Sequence, residues 1–144
     1  MREDIFLITR FVSVKEIQEY FSRLFPFLRI NFFKNGKTGS LWSGHQVILF
    51  SPESLLKSIH PNLTDGELIV RESMSVLELE NEFNKKFDLS VQILRRSGNL
   101  WLDTSRTNSW TLKEQNDHGR EISPVQKGNQ RIAGENDFRR NLGQ

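Results

Sequence analysis

At 144 residues, with 36% hydrophobic and 26% charged side chains, the chain is long enough to bury a core of its own without covalent or metal staples. It has no Cys, which excludes a disulfide framework, a thiolate zinc site, an iron–sulfur cluster and a cysteine nucleophile. The sequence pI near 9.1 marks no polybasic patch, because residues 1–72 carry nine Lys/Arg against eight Asp/Glu, residues 73–115 six against six, and residues 116–144 five against four.

The chain opens with Ile5-Phe-Leu-Ile8 as its first apolar run. That run is too short for a secretory signal, and nothing downstream approaches a membrane span. A cytoplasmic protein with no membrane partner is expected.

Ser13 followed by Glu16 is a capping-box spacing, and Val14, Ile17, Phe21 and Leu24 recur behind it at helical intervals. Leu28-Arg-Ile-Asn-Phe-Phe33 then alternates as a strand does. Asn35-Gly36 supplies turn chemistry, and Leu41-Trp42 reads as the returning strand of a hairpin. The run Val47 to Phe50 has no counterpart later in the chain. Ser51-Pro52-Glu53 reads as a cap with Pro at the first helical position, opening a helix over 54–59.

The pattern then repeats. Phe11 to Phe25 aligns with Ser73 to Phe87 at an offset of 62 residues without a gap, with Ser13/Ser75, Val14/Val76, Glu16/Glu78, Phe21/Phe83 and Phe25/Phe87 identical. Leu68-Ile-Val70 stands before the second helix as Ile5 to Ile8 stands before the first. Leu89-Ser-Val-Gln-Ile-Leu94 follows it as an alternating strand, Ser97-Gly98 turns, and Leu100-Trp-Leu102 returns. A further box, Thr111 with Glu114, opens a helix from Leu112 to about Asp117.

The expected fold is therefore α+β, a tandem duplication of a β-α-β-β(-α) unit within one domain over residues 1–121, with halves of about 4–60 and 66–118. Right-handed crossovers would make the two strands of each half parallel neighbours, or let them flank a strand from elsewhere. Residues 122–144 are polar, with scattered apolar positions, and read as a disordered tail.

Candidate chemistry is sparse. Gly36-Lys37-Thr38 resembles the end of a phosphate loop, but Asn31 stands where the first Gly is required and a hairpin follows where a helix is needed. His45, His60 and His118 lack ligand spacing. No GxSxG, HExxH or GxGxxG occurs. No catalytic or metal-ligating residue is assigned, and no cofactor is expected.

The one cluster mixing cations with large aromatics is Arg95, Arg96, Trp101, Arg106 and Trp110, which could stack on bases or pack on a peptide. The plainer reading has both Trp side chains covering the sheet, as the matched Trp42 suggests.

Three runs carry a resemblance. Leu89-Ser-Val-Gln-Ile-Leu-Arg-Arg-Ser-Gly-Asn-Leu-Trp-Leu102 with Trp110-Thr-Leu-Lys-Glu-Gln-Asn116, Ser13-Val-Lys-Glu-Ile-Gln-Glu-Tyr-Phe21, and Phe25-Pro-Phe-Leu-Arg-Ile-Asn-Phe-Phe33 resemble a group of small bacterial proteins without an established activity. The likeness covers most of residues 5–121. It implies a bacterial, intracellular origin and transfers no site residues.

The functional expectation is a non-enzymatic binding or adaptor module whose partner is another protein or peptide. A nucleic-acid-binding module using the Arg/Trp surface is the alternative, and an enzyme with a site assembled from distant residues comes third.

Overall fold

The computed structural model describes residues 3–34 and 48–123. In chain order it holds β1 (Glu3–Ile8), α1 (Val14–Leu24), β2 (Leu28–Phe33), α2 (Leu56–Ile59), β3 (Gly66–Arg71), α3 (Val76–Phe87), β4 (Ser90–Ser97), β5 (Leu100–Asp103), a 3-10 turn at Ser105–Thr107 and α4 (Leu112–Ile122). The fold is α+β, as the sequence indicates. The Gly36-Lys37-Thr38 tripeptide, the expected Leu41-Trp42 strand, His45 and the tail beyond Ser123 lie outside the described residues.

All three capping boxes form. The Ser13, Ser75 and Thr111 hydroxyls accept the amides of Glu16, Glu78 and Glu114 at 3.1, 3.0 and 3.0 Å, and those glutamates accept the cap amides in return at 2.9, 2.8 and 2.8 Å. Two further orphan amides at each helix start find partners that local sequence does not reveal. Val14 and Lys15 donate to the Ser54 and Pro52 carbonyls, while Leu56 and Lys57 donate back to Val12 and Arg10. In the second half, Val76 and Leu77 donate to Trp110 and Asn108, while Leu112 and Lys113 donate back to Met74 and Glu72. Isolated antiparallel bridges, Ser13 with Leu55 and Ser75 with Thr111, sit at the centre of each exchange. The starts of α1, α3 and α4 are therefore saturated, and none of these three offers the open amides that bind an anion.

This exchange corrects the expected start of α2. Ser51 forms a turn, its carbonyl accepting from the Ser54 amide at 3.0 Å, and the helix begins only at Leu56, after Leu55, with no side-chain cap. The carbonyls of Pro52 and Ser54 serve α1 instead.

Strand pairing also departs from the parallel arrangement. β1 pairs antiparallel with β3, and β2, β4 and β5 form a second antiparallel sheet in the order β2-β4-β5. Each strand of the first half thus finds its partner in the second. Alternation fixes which face of a strand is buried but not which strand lies beside it, so both halves could be read correctly without showing this. In the resulting registers Phe6 faces Leu68 and Asn31 faces Gln92.

The Val47 to Phe50 run also gains a counterpart. Ile48 and Phe50 bond to Lys34 and Phe32 at 2.9 Å, with a bridge from Phe33 to Leu49. They flank the outer edge of β2 as β5 flanks β4; Val47 itself lies outside the described residues.

The core lies between the sheets and the long helices. Phe21, Phe32 and Phe83 are fully buried, with the Phe32 and Phe83 rings edge-to-face at 5.7 Å. Leu28, Ile30 and Phe32 of β2 and Val91 and Ile93 of β4 face inward. α4 runs on to Ile122, past the expected end near Asp117. Its Asn116 accepts the Phe27 amide at 2.8 Å, and Ser123 beyond it accepts the Gly98 amide at 2.8 Å. Gly98 takes φ 62° in the two-residue β4–β5 turn, where a Cβ would be strained.

Candidate functional site

Consecutive strand residues point to opposite faces, so Arg95 and Arg96 part company. Arg95 turns inward beneath α4. Its Nη1 donates to Gln115 Oε1 at 2.7 Å and lies 3.4 Å from Thr107 Oγ1, and its guanidinium stands 5.5 Å over Trp110. Its Nε is buried with no partner among the described residues, and burial pushes its pKa down.

Gln115, fully buried, donates in turn to the Thr107 carbonyl at 2.6 Å and its hydroxyl at 2.9 Å. His118 meets the Trp110 ring edge-on at 5.5 Å. Arg95 and Trp110 thus belong to a packed seam. Arg106 is exposed on the 3-10 turn, apart from the strand face.

Arg96 and Trp101 do come together, directly opposed on β4 and β5. Arg96 N donates to the Phe27 carbonyl at 3.0 Å, and its Nε donates to the Gly98 carbonyl at 2.9 Å. The cation stacked on Trp101 is none of the three predicted arginines. Arg29 reaches across β4 from β2, and its guanidinium carbon lies 4.4 Å from the centre of the Trp101 ring.

Alternation in the β2 run does place Arg29 on the outward face. Its meeting with Trp101 depends on the antiparallel β2–β4 register, which no local pattern specifies. Arg29 also borders a cleft of about 390 Å³ between α1 and β2, where Lys15, Glu19, Ser22 and Asn31 converge. The outer sheet face therefore carries a stacked Arg/Trp pair, a second arginine and an adjoining cleft of mixed charge.

Acid–base candidates are few. Glu80 of α3, half-buried, accepts the Ile93 amide at 3.3 Å. Burial pushes its carboxyl up to about 7, with the Ile93 amide opposing and Asp103 adding to the rise. His60 Nε2 lies 3.1 Å from Asp88 Oδ2, and its Nδ1 is buried without a partner among the described residues.

Asp117 accepts from Lys113 at 2.7 Å and Arg120 at 2.9 Å, and these bonds hold its carboxyl below the usual range. No group of three or more His, Asp or Glu among the described residues could hold a metal ion. None of their helices is long and apolar enough to cross a membrane. Comparison with family models, curated proteins and solved structures finds no match to this chain.

Proposed function

We propose that this chain is a non-enzymatic binding module, of bacterial and cytoplasmic origin, that takes a protein or peptide partner on the outer face of β2-β4-β5. Arg29, Arg96 and Trp101 are its anchors. The observation that carries this reading is the Arg29–Trp101 stack on a solvent-facing sheet beside a cleft. Arg and Trp concentrate interface energy, and a guanidinium held on a ring loses less freedom on binding than a mobile one. Glu19 and Asp103 lie among the cations of the cleft and face, a mixed pattern that suits a peptide better than a polyanion.

The proposal includes descent of both halves from one β-α-β unit. Its support is the recurring sequence pattern together with the matching exchanges of carbonyls at the helix starts.

Arg29→Ala and Trp101→Ala are the test, with capture of partners from the native host compared against the unaltered chain. Loss of a captured protein by both variants, with unchanged thermal unfolding, is expected. Unchanged capture would sink the assignment of this face. Nucleic acid is the second reading, favoured by the same stacked pair. A salt-sensitive shift with single-stranded oligonucleotides, lost in Arg29→Ala and Arg96→Ala, would transfer the face to that ligand.

A further inference from the structure

The β1–β3 ribbon has two edges, and among the described residues neither carries a further strand. The edges are unlike. Beside β3, the cleft against α3 is lined by Arg71, Glu78, Glu82, Lys85 and Lys86, and Lys86 Nζ reaches the Glu67 carbonyl at 3.5 Å. Lysine at a sheet edge discourages pairing with another chain.

Beside β1, a cleft of about 170 Å³ against α1 is lined by Phe6, Leu7, Val12, Ile17 and Tyr20, with Glu16 its one charged residue. At the offset of 62, Tyr20 stands for Glu82 and Leu24 for Lys86. Leu7 and Ile5 are 63% and 50% exposed on the outer side of β1. An apolar edge without such a guard is a strand-pairing surface.

We propose that β1 pairs antiparallel with β1 of a second copy of this chain, joining two ribbons into one four-stranded sheet with β1 and its copy at the centre. Charge order selects the occupant. Glu3 and Asp4 stand at the start of β1 and Arg10 just past its end, with Ile5 to Ile8 between. Antiparallel self-pairing about Leu7 keeps each residue on its own face, sets the Glu3-Asp4 end of each strand beside Arg10 of the other, and places Leu7 opposite Leu7 and Phe6 opposite Ile8 at the middle of the ladder. Parallel pairing would set like charge on like. The antiparallel relation is also the one that closes an isologous dimer instead of extending into a fibre.

Sedimentation velocity of the full chain over a concentration series tests this, with hydrogen exchange of the β1 amides followed at each concentration. A monomer–dimer equilibrium is expected, with β1 exchange slowing as the dimer forms. Leu7→Lys should raise the dissociation constant about tenfold or more, and Arg10→Glu should raise it less, while Leu77→Lys, an exposed apolar position on α3, changes it by under about twofold. Circular dichroism establishes that each variant is folded.

A chain that stays monomeric throughout overturns the proposal and leaves the edge to a strand of another protein. A dimer whose β1 amides exchange at the monomer rate overturns it too, and assigns self-association to a different face. Arg29→Ala leaves this dimer intact, so the outcome here is separate from that of the proposed sheet-face site.

Discussion

Glu80 accepts the Ile93 amide at 3.3 Å, and Ile30, the residue paired with Ile93 across the sheet, gives its carbonyl to Gln18 at 3.0 Å. β5 stops opposite Leu94, one residue short of Ile93. Two main-chain groups would otherwise face an open edge, and a side chain from α1 closes one while a side chain from α3 closes the other. A carbonyl needs a donor, which Gln supplies, and an amide needs an acceptor, which Glu supplies.

The Glu80 carboxyl, raised from 4.5 to about 7 chiefly by burial, sets a pH dependence. Because the folded-state value is the higher one, its stabilising contribution is complete below about 4.5, declines as pH rises through about 7, and is absent above. The urea midpoint should therefore fall between about pH 5 and pH 8, corresponding to no more than about 3 kcal/mol. Glu80→Gln retains an acceptor for Ile93 and should flatten that decline; an unchanged slope in the variant would show that Glu80 is not its source.

Gly119→Ala should destabilise the protein although alanine is the better helix former. A Cβ there would stand 2.9 Å from Phe27 Cβ and 3.2 Å from Arg95 Cγ, neither of them the loose end of a side chain. The expected loss is about 1–3 kcal/mol, against a propensity gain of about 1. A higher melting temperature than the parent chain would show that α4 can shift away from β4.

Gln115→Leu should cost about 1–3 kcal/mol, because it takes from the part-buried Arg95 guanidinium and Thr107 carbonyl the partner they share. Arg29→Ala should stay within about 0.5 kcal/mol of the parent. Urea denaturation of the two variants separates the packed seam from the exposed face, and comparable losses would mean that Arg29 is structural too.

Ser75→Ala and Thr111→Ala should each cost about 1 kcal/mol as lost helix caps. Since the two residues also form one bridge, their double variant should depart from additivity by about 0.5 kcal/mol or more. Strict additivity would mean that the bridge survives loss of both hydroxyls.

Much of the fold was legible because its determinants are local. The capping boxes at Ser13, Ser75 and Thr111, the stripes behind them and the alternation of β2 and β4 each read within a single turn or strand. What could not be read depends on pairing between distant segments. The Pro52 and Ser54 carbonyls belong to α1, and Ile48 to Phe50 belong beside β2, for reasons of position in space.

The site divides in the same way. Arg96 and Trp101, neighbours across a tight turn, were found together. Arg95 was grouped with them although strand alternation sends it to the opposite face. Arg29 was missed because its ring partner lies two strands away.

The cross-half pairing of β1 with β3 and β2 with β4 gives the segment between Leu63 and Gly66 an unusual office. A polypeptide severed there would leave two fragments, each with its own helix starts closed and each presenting strands whose ladder mates reside on the other. The connection touches the rest of the fold through the Asp65 carboxylate, which accepts the Arg10 amide at 3.1 Å, and otherwise supplies effective concentration, as a linker does between two binding modules. In that sense the molecule is a tethered complex of two fragments, and recovery of the native spectrum on mixing the severed pieces is the behaviour its topology implies.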